Sequence, residues 1–392
     1  MANHGISQRQ LMWVGFLGIF VWGSISGLLG AVLPKLQERA GLSLDQSSWM
    51  FVAMSVGLVA AAILSGFLAD RRGKKGVLLV AVGMVVAALV LFSFTDAFEM
   101  LLLLALVLGA GGSAVVTAGH ALVADLNPEH RAAALNLLDL FFGVGAFTTP
   151  FLIVPLQDWG GLTAVLMVLA VLAGLVFLYV AAVRFPPPLK AEEFSISEAA
   201  AIVGSGLFLV PALLLFLYVG TEQAVSNWQV TYFVRELGVN QISAARLLAI
   251  FPVAIMVGRF VNNRLLMRVA PAPVLLASTV GSVVCFGLML TARSPLVAGV
   301  FMFAIGLFMA SIFPTTLGIV SARFARSSGT ALGLAIAFGW LGTVAIAPAL
   351  GFVAERRDFS AAYLVVVASA LAMVVIAAVL MRQKGRRTER EA

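Results

Sequence analysis

The chain has 392 residues, of which 61% are hydrophobic and 11% charged, and its mean hydropathy is +1.06. A soluble protein carries about 25% charged residues, so a water-soluble fold is excluded for want of polar side chain to cover its surface. The net charge of +7 does not indicate a nucleic-acid groove either, because the basic tail RQKGRRTER has no interleaved aromatics on which bases would stack.

Apolar stretches long enough to cross a hydrocarbon core about 30 Å thick fall at 11–34, 48–68, 77–95, 99–124, 132–155 and 161–183. Six more follow at 203–227, 243–262, 272–292, 296–320, 329–354 and 360–381. Twelve helical spans are therefore expected. The first is too long, and flanked only by Arg9, to read as a cleaved signal peptide. Cys285 is the single cysteine, so no intrachain disulfide can form. Three histidines, at 4, 120 and 130, are too few for a histidine-built metal site.

Between the second and third spans, GFLADRRGKKG (66–76) crowds five charges between glycines. Gly66 suits a close helix approach, and Asp70 is placed either to pair with a basic group or to cap a neighbouring helix N-terminus. Such a contact would hold one conformation and break in another; the plain alternative is a solvated basic loop. A degraded copy, GRFVNNRLLM (258–267), keeps Gly258 and Arg259 but has Asn262 near the acidic position. The candidate gating residues are Gly66, Asp70, Arg71, Gly73, Lys75 and Arg259.

A charge at mid-membrane costs about 2.5–3.5 kcal/mol on insertion scales, so it needs a partner, a wet cavity or a task. Asp139 lies about eight residues into the fifth span, roughly 12 Å deep at 1.5 Å per residue. Asn136 and Gly143 share its helix face, three and four residues away, and Thr148 follows. A polar stripe of this kind fits a cavity wall. A carboxylate taken out of water favours its neutral form, so Asp139 is expected to bind substrate or carry a coupling proton. The alternative is a structural acid held by His120 or by backbone. His120, in the fourth span, can donate to Asp139 or satisfy a buried carbonyl.

RFPPPLKAEEFSISEAA (184–200) cuts the chain near its middle with three prolines and mixed charge. The expected layout is a first bundle over 1–184, a cytoplasmic linker over 185–200, a second bundle over 201–382 and a basic tail over 383–392. The halves echo one another: ALNLLDLFFGVGAFTTP (134–150) and ALGLAIAFGWLGTVAIAP (331–348) share an Ala-Leu opening, central glycines and a closing proline. Repeats in matching spans indicate two pseudosymmetric six-helix bundles.

The seventh span carries a second polar cluster, YVGTEQAVSNWQVTYF, with Glu222, Asn227, Trp228 and Tyr232. An indole beside amide and carboxylate acceptors suits a sugar, the ring against its apolar face and the acceptors taking hydroxyl protons. Trp228 as an interfacial belt aromatic is the competing reading. The candidate substrate contacts are Asn136, Asp139, Glu222, Asn227, Trp228 and Tyr232, and the coupling candidates are Asp139, Glu222 and His120. Arg246 is expected at the rim.

With residue 1 in the cytoplasm, alternating loops place 18 Lys and Arg inside and 7 outside, as the positive-inside rule requires. Both termini are then cytoplasmic, and the tail RQKGRRTER faces anionic membrane lipid.

The loop GFLADRRGKK resembles the signature loop of the major facilitator superfamily, which joins the second and third helices there as here; with twelve spans in two halves, the resemblance covers essentially the whole chain. The implied fold is all-α: twelve transmembrane helices in two six-helix bundles. GAGGSAVVTAGHALVADLNPEHRAAALNLL, DLFFGVGAFTTP, YVGTEQAVSNWQVTYF and IFPTTLGI resemble the branch of fucose, galactose and glucose proton symporters. That resemblance implies uptake of a hexose or deoxyhexose across a bacterial plasma membrane. H+ is the expected coupling ion ahead of Na+, with facilitated diffusion the remaining alternative and no cofactor. Two halves that each carry the repeat make a monomer mechanically sufficient. There are departures. His120 stands where that branch commonly has Asn, Asp139 where an amide or His is usual, and the first span lacks the acid of fucose symporters. Coupling would then move to Asp139 or Glu222. A proton-driven exporter of drugs or amphiphiles is the competing function, and no nucleophile–base or metal constellation suggests an enzyme.

Overall fold

The computed structural model describes residues 7–186, 196–240, 247, 249–357 and 359–391, and the regular structure among them is entirely helical. In chain order the helices are α1 (Gln8–Ser26), α2 (Leu28–Ala40), α3 (Leu44–Arg72), α4 (Lys74–Phe92), α5 (Phe98–Leu126), α6 (Arg131–Ala182) and α7 (Ile196–Gly204). They continue as α8 (Gly206–Arg235), α9 (Ile250–Leu265), α10 (Pro271–Met289), α11 (Pro295–Met309), α12 (Ile312–Arg323), α13 (Ser328–Arg356) and α14 (Phe359–Glu391). Of the expected linker, 187–195 lies outside the described residues and its end begins α7; Arg246 also lies outside them.

Among the described residues, ten helical segments are long and apolar enough to cross a membrane, where twelve were expected. The two missing are the first and the eighth. The first is interrupted at Gly27, between α1 and α2. Before the break, Ser24 and Ser26 turn their hydroxyls back onto Phe20 O and Gly23 O, each at 3.0 Å, a habit that weakens a helix. The eighth is the 16-residue α9, whose expected head at 243–249 falls largely outside the described residues. The fifth and sixth spans run together as α6, parted at Gly160 and Gly161; Gly161, at φ 65°, takes a left-handed conformation that suits glycine.

The chain divides into two compact units. One comprises Met1–Pro128, Leu138–Ala201 and Phe324–Ala337; the other comprises Glu129–Leu137, Ile202–Arg323 and Phe338–Ala392. Each therefore holds one short helical piece borrowed from the opposite half of the sequence.

The same crossings recur within each unit. In the first, α1 meets α6 where a Cβ on Gly23 would lie 2.2 Å from Phe142 O, and one on Gly145 2.2 Å from Phe20 O. In the second, α8 meets α13 where a Cβ on Gly220 would lie 2.4 Å from Gly342 O. Likewise Gly57 and Gly109 seat α3 on α5, and Gly258 and Gly306 seat α9 on α11. Small residues let backbones approach in a membrane, where lipid is as apolar as Leu and close packing must drive association. The echo between 134–150 and 331–348 is thus a repeat of crossing geometry.

Candidate functional site

The first unit buries one ionisable pair. On α5, Ser113, Thr117 and His120 are spaced as one helix face and are at most 1% exposed. Facing them, α6 contributes Asp139, 4% exposed. His120 Nε2 lies 2.9 Å from Asp139 Oδ1, and His120 Nδ1 lies 2.7 Å from Val116 O. A carbonyl oxygen can only accept, so Nδ1 must carry a hydrogen. That leaves Nε2 as the ring nitrogen turned toward the carboxylate, and the 2.9 Å approach makes an ion-pair contact between the two side chains when the imidazole is protonated.

The same unit holds the charged loop. Asp70, at the end of α3, accepts from Gly329 N at 2.9 Å, Thr330 N at 2.7 Å and Thr330 Oγ1 at 2.9 Å. Of the two roles left open by the sequence, this geometry is the helix cap: the carboxylate sits on the orphan N–H groups and positive dipole end of α13. Asp125, at the end of α5, accepts from Ser328 Oγ at 2.8 Å and pairs with Lys74 Nζ at 2.7 Å. Two carboxylates therefore grip the first turn of α13. Gly66 lies under the same turn, where a Cβ would come within 2.3 Å of Gly329 O. Gly73 joins α3 to α4 at φ 88°. Arg71 lies over the Phe67 ring at 5.9 Å, and Lys75 donates to Ala181 O and Val183 O, both at 2.8 Å.

The second unit has a corresponding junction built with amides. The start of α6 packs on α12, where a Cβ on Gly318 would lie 2.7 Å from Ala132 Cα. Arg131 Nη1 donates to Ser321 O, and Asn263 Nδ2 donates to Ala133 O at 2.9 Å. Asn262 turns inward onto Gly258 O at 2.8 Å, and Arg259 beside it is 6% exposed. Asn136 Nδ2 donates to Ala132 O at 2.8 Å and to Thr315 Oγ1 at 3.2 Å.

The seventh-span cluster divides. Glu222 is half-buried, and Gln223 Nε2 donates to exposed Asn227 Oδ1 at 2.7 Å. Trp228 is half-buried, with Nε1 donating to Ala347 O at 3.2 Å. Tyr232 belongs to the core, its hydroxyl 3.4 Å from Met289 O and its ring 4.6 Å from that of Tyr363. Asp125, Ser328, Thr330 and Thr315 escaped the sequence reading. The first had a signal: Ala-Asp closes both α3 and α5. Among the described residues, no cluster of three or more His, Cys, Asp and Glu is arranged to hold a metal.

Residues 14–268 and 212–392 match the family model of the Major Facilitator Superfamily. The multidrug resistance protein MdtG of Citrobacter koseri is 30% identical over 328 residues, covering 79% of each chain. A crystal structure of the Escherichia coli fucose:proton symporter superposes with a TM-score of 0.82 at 19% identity, over 93% of this chain and 97% of that one. The proton:xylose symporter XylE superposes at 0.77 with 15% identity, over 94% of both chains.

Proposed function

Because the chain belongs to the Major Facilitator Superfamily, and so is a multi-pass membrane transporter rather than an enzyme, we propose that it takes up a monosaccharide by alternating access, coupled to a proton. The observation that carries the coupling is the His120–Asp139 pair, a buried site able to hold one exchangeable proton. Asp139, His120 and Glu222 are the coupling residues in this reading, and Asn136, Asp139, Glu222, Asn227, Trp228 and Tyr232 the groups that meet the sugar. The fold shared with a fucose and a xylose symporter supports a hexose or deoxyhexose.

Asp70, with Gly66, Arg71, Gly73 and Lys75 around it, acts as a latch on α13 that transport must open, and Arg259, in the degraded copy of that loop, is the gating residue of the second unit. The protein works as a monomer in a bacterial plasma membrane with both termini cytoplasmic, an orientation supported by the 18-to-7 division of its basic residues.

A second reading, proton-driven export of amphiphilic compounds, is favoured by the MdtG relatives, named for multidrug resistance. Proteoliposomes under an imposed inward proton gradient separate the two. Accumulation of labelled glucose, galactose or fucose, abolished by a protonophore and by Asp139→Asn, is expected. No sugar uptake, together with lowered dye retention in cells carrying the protein, would replace symport by export.

A further inference from the structure

The first unit carries a trough whose lining includes none of the residues assigned above to substrate, coupling or gating. Gly57 lets α3 lie flush on α5, since a Cβ there would be 2.2 Å from Leu106 O, and Gly111 does the same for α4, at 2.8 Å from Ala81 O. With α3 and α4 both seated on α5, the space between them stays open. It forms a cavity of about 450 Å³ with Ala110 and Ala114 as its floor, Ala60 and Leu64 on one wall, and Val80 and Met84 on the other. That volume falls within the range of about 300–1,000 Å³ typical of small-molecule sites. Its rim is greasy and faces outward, with Leu64 58% and Val80 65% exposed.

One cation lines this cavity, Arg72. The other three basic groups of the loop are engaged elsewhere: Lys74 on Asp125, Lys75 on two carbonyls, Arg71 over Phe67. Among the described residues Arg72 pairs with no carboxylate, and it is exposed at the end of α3. A long apolar slot ending in a guanidinium matches one kind of occupant, an acyl chain joined to an anionic head.

We propose that the α3–α4 trough is a binding site for an anionic phospholipid, one acyl chain in the slot and the phosphate on Arg72. A guanidinium offers several N–H donors to phosphate oxygens and remains charged throughout. Basic groups at the membrane surface select anionic over zwitterionic lipid by a factor of about five each. The site does not depend on which solute the protein carries.

The test is native mass spectrometry of the full chain in detergent, titrated with dioleoyl phosphatidylglycerol or dioleoyl phosphatidylcholine. Phosphatidylglycerol should bind about fivefold more tightly. Arg72→Gln should erase that preference and Arg72→Lys should keep it. Gly76 lines the same cavity and its Cβ position has nothing within 4 Å, so Gly76→Leu should add bulk in the slot and weaken both lipids. Glycerol phosphate, the head without chains, should displace neither. Equal binding of the two lipids, phosphatidylglycerol binding untouched by Arg72→Gln or by Gly76→Leu, or displacement by glycerol phosphate would each overturn the proposal.

Discussion

His120 presents Nε2 to Asp139 Oδ1 at 2.9 Å while its Nδ1 is fixed by Val116 O. The backbone contact leaves Nε2 as the ring nitrogen that faces the carboxylate of Asp139. The two partners are therefore unequal under mutation. Asp139→Asn removes the charge but keeps the shape, so the protein should fold and exchange substrate across the membrane while failing to accumulate it against a gradient. His120→Ala leaves Asp139 in a site 4% exposed without its ion-pair partner. Breaking a buried pair from one side costs about 3–5 kcal/mol. Thermal unfolding in detergent should rank His120→Ala well below Asp139→Asn, and counterflow against accumulation assays should show the transport split. Equal destabilisation by the two would mean the pair is structural.

Asp70 makes a second testable contact. Its carboxylate takes two backbone N–H groups and a hydroxyl at the start of α13. An anion at a partly buried helix N-terminus contributes up to about 2 kcal/mol. Asp70→Asn keeps one acceptor oxygen and loses the charge. Hydrogen exchange at residues 328–331 should quicken by as much as thirtyfold or so, with helices of the second unit unaffected. Unchanged exchange would show that Asp125 and close packing hold this turn without Asp70.

The glycines beneath that turn set its steric limit. A Cβ on Gly333 would lie 2.2 Å from Ala62 O, and one on Gly66 2.3 Å from Gly329 O. Both obstacles are backbone, which cannot swing aside. Overpacking of this sort costs about 1–3 kcal/mol, so Gly66→Ala and Gly333→Ala should each lower the melting temperature and speed exchange at 328–331. Gly174, with nothing within 4 Å of its Cβ position, is the control: Gly174→Ala should be neutral or slightly stabilising, since alanine is the better helix former.

Much of this was legible in the sequence, and the reasons for the remainder are physical. Hydropathy located the spans because each must satisfy its backbone internally and present apolar side chains to lipid. It missed the break at Gly27, since hydroxyls folding back onto their own helix leave the apolar count unchanged. Asp139 and His120 stood out because ionisable groups within a span are expensive. That they meet could be offered only as one option, since partners 19 residues apart on different helices are joined by packing. Asp125 sits at a helix end like many surface charges, and its role appears only once Ser328 and Lys74 are seen on either side of it. Trp228 and Tyr232 read as sugar contacts by residue type; that their polar atoms also reach Ala347 O and Met289 O depends on helices that the local pattern does not specify.

Arg39 supplies the last prediction, at the opposite end of the first unit. Its Nη2 donates to Phe92 O and Thr95 O, both at 2.8 Å, and its Nε lies 2.6 Å from Asp96 Oδ1. One planar fork thus closes the end of α4 and the turn that follows, tying both to α2. Lysine has the charge but a single ammonium nitrogen, which cannot reproduce a fork aimed at three acceptors. Hydrogen bonds from charged groups contribute about 1.5–3 kcal/mol each when well shielded. Here the side chain is 26% exposed and Asp96 60%, so the low end applies. Arg39→Lys should then unfold nearly as early as Arg39→Ala, while Asp96→Asn, which leaves both carbonyl contacts in place, should cost much less. If lysine restored stability, charge rather than the fork would be what holds this turn.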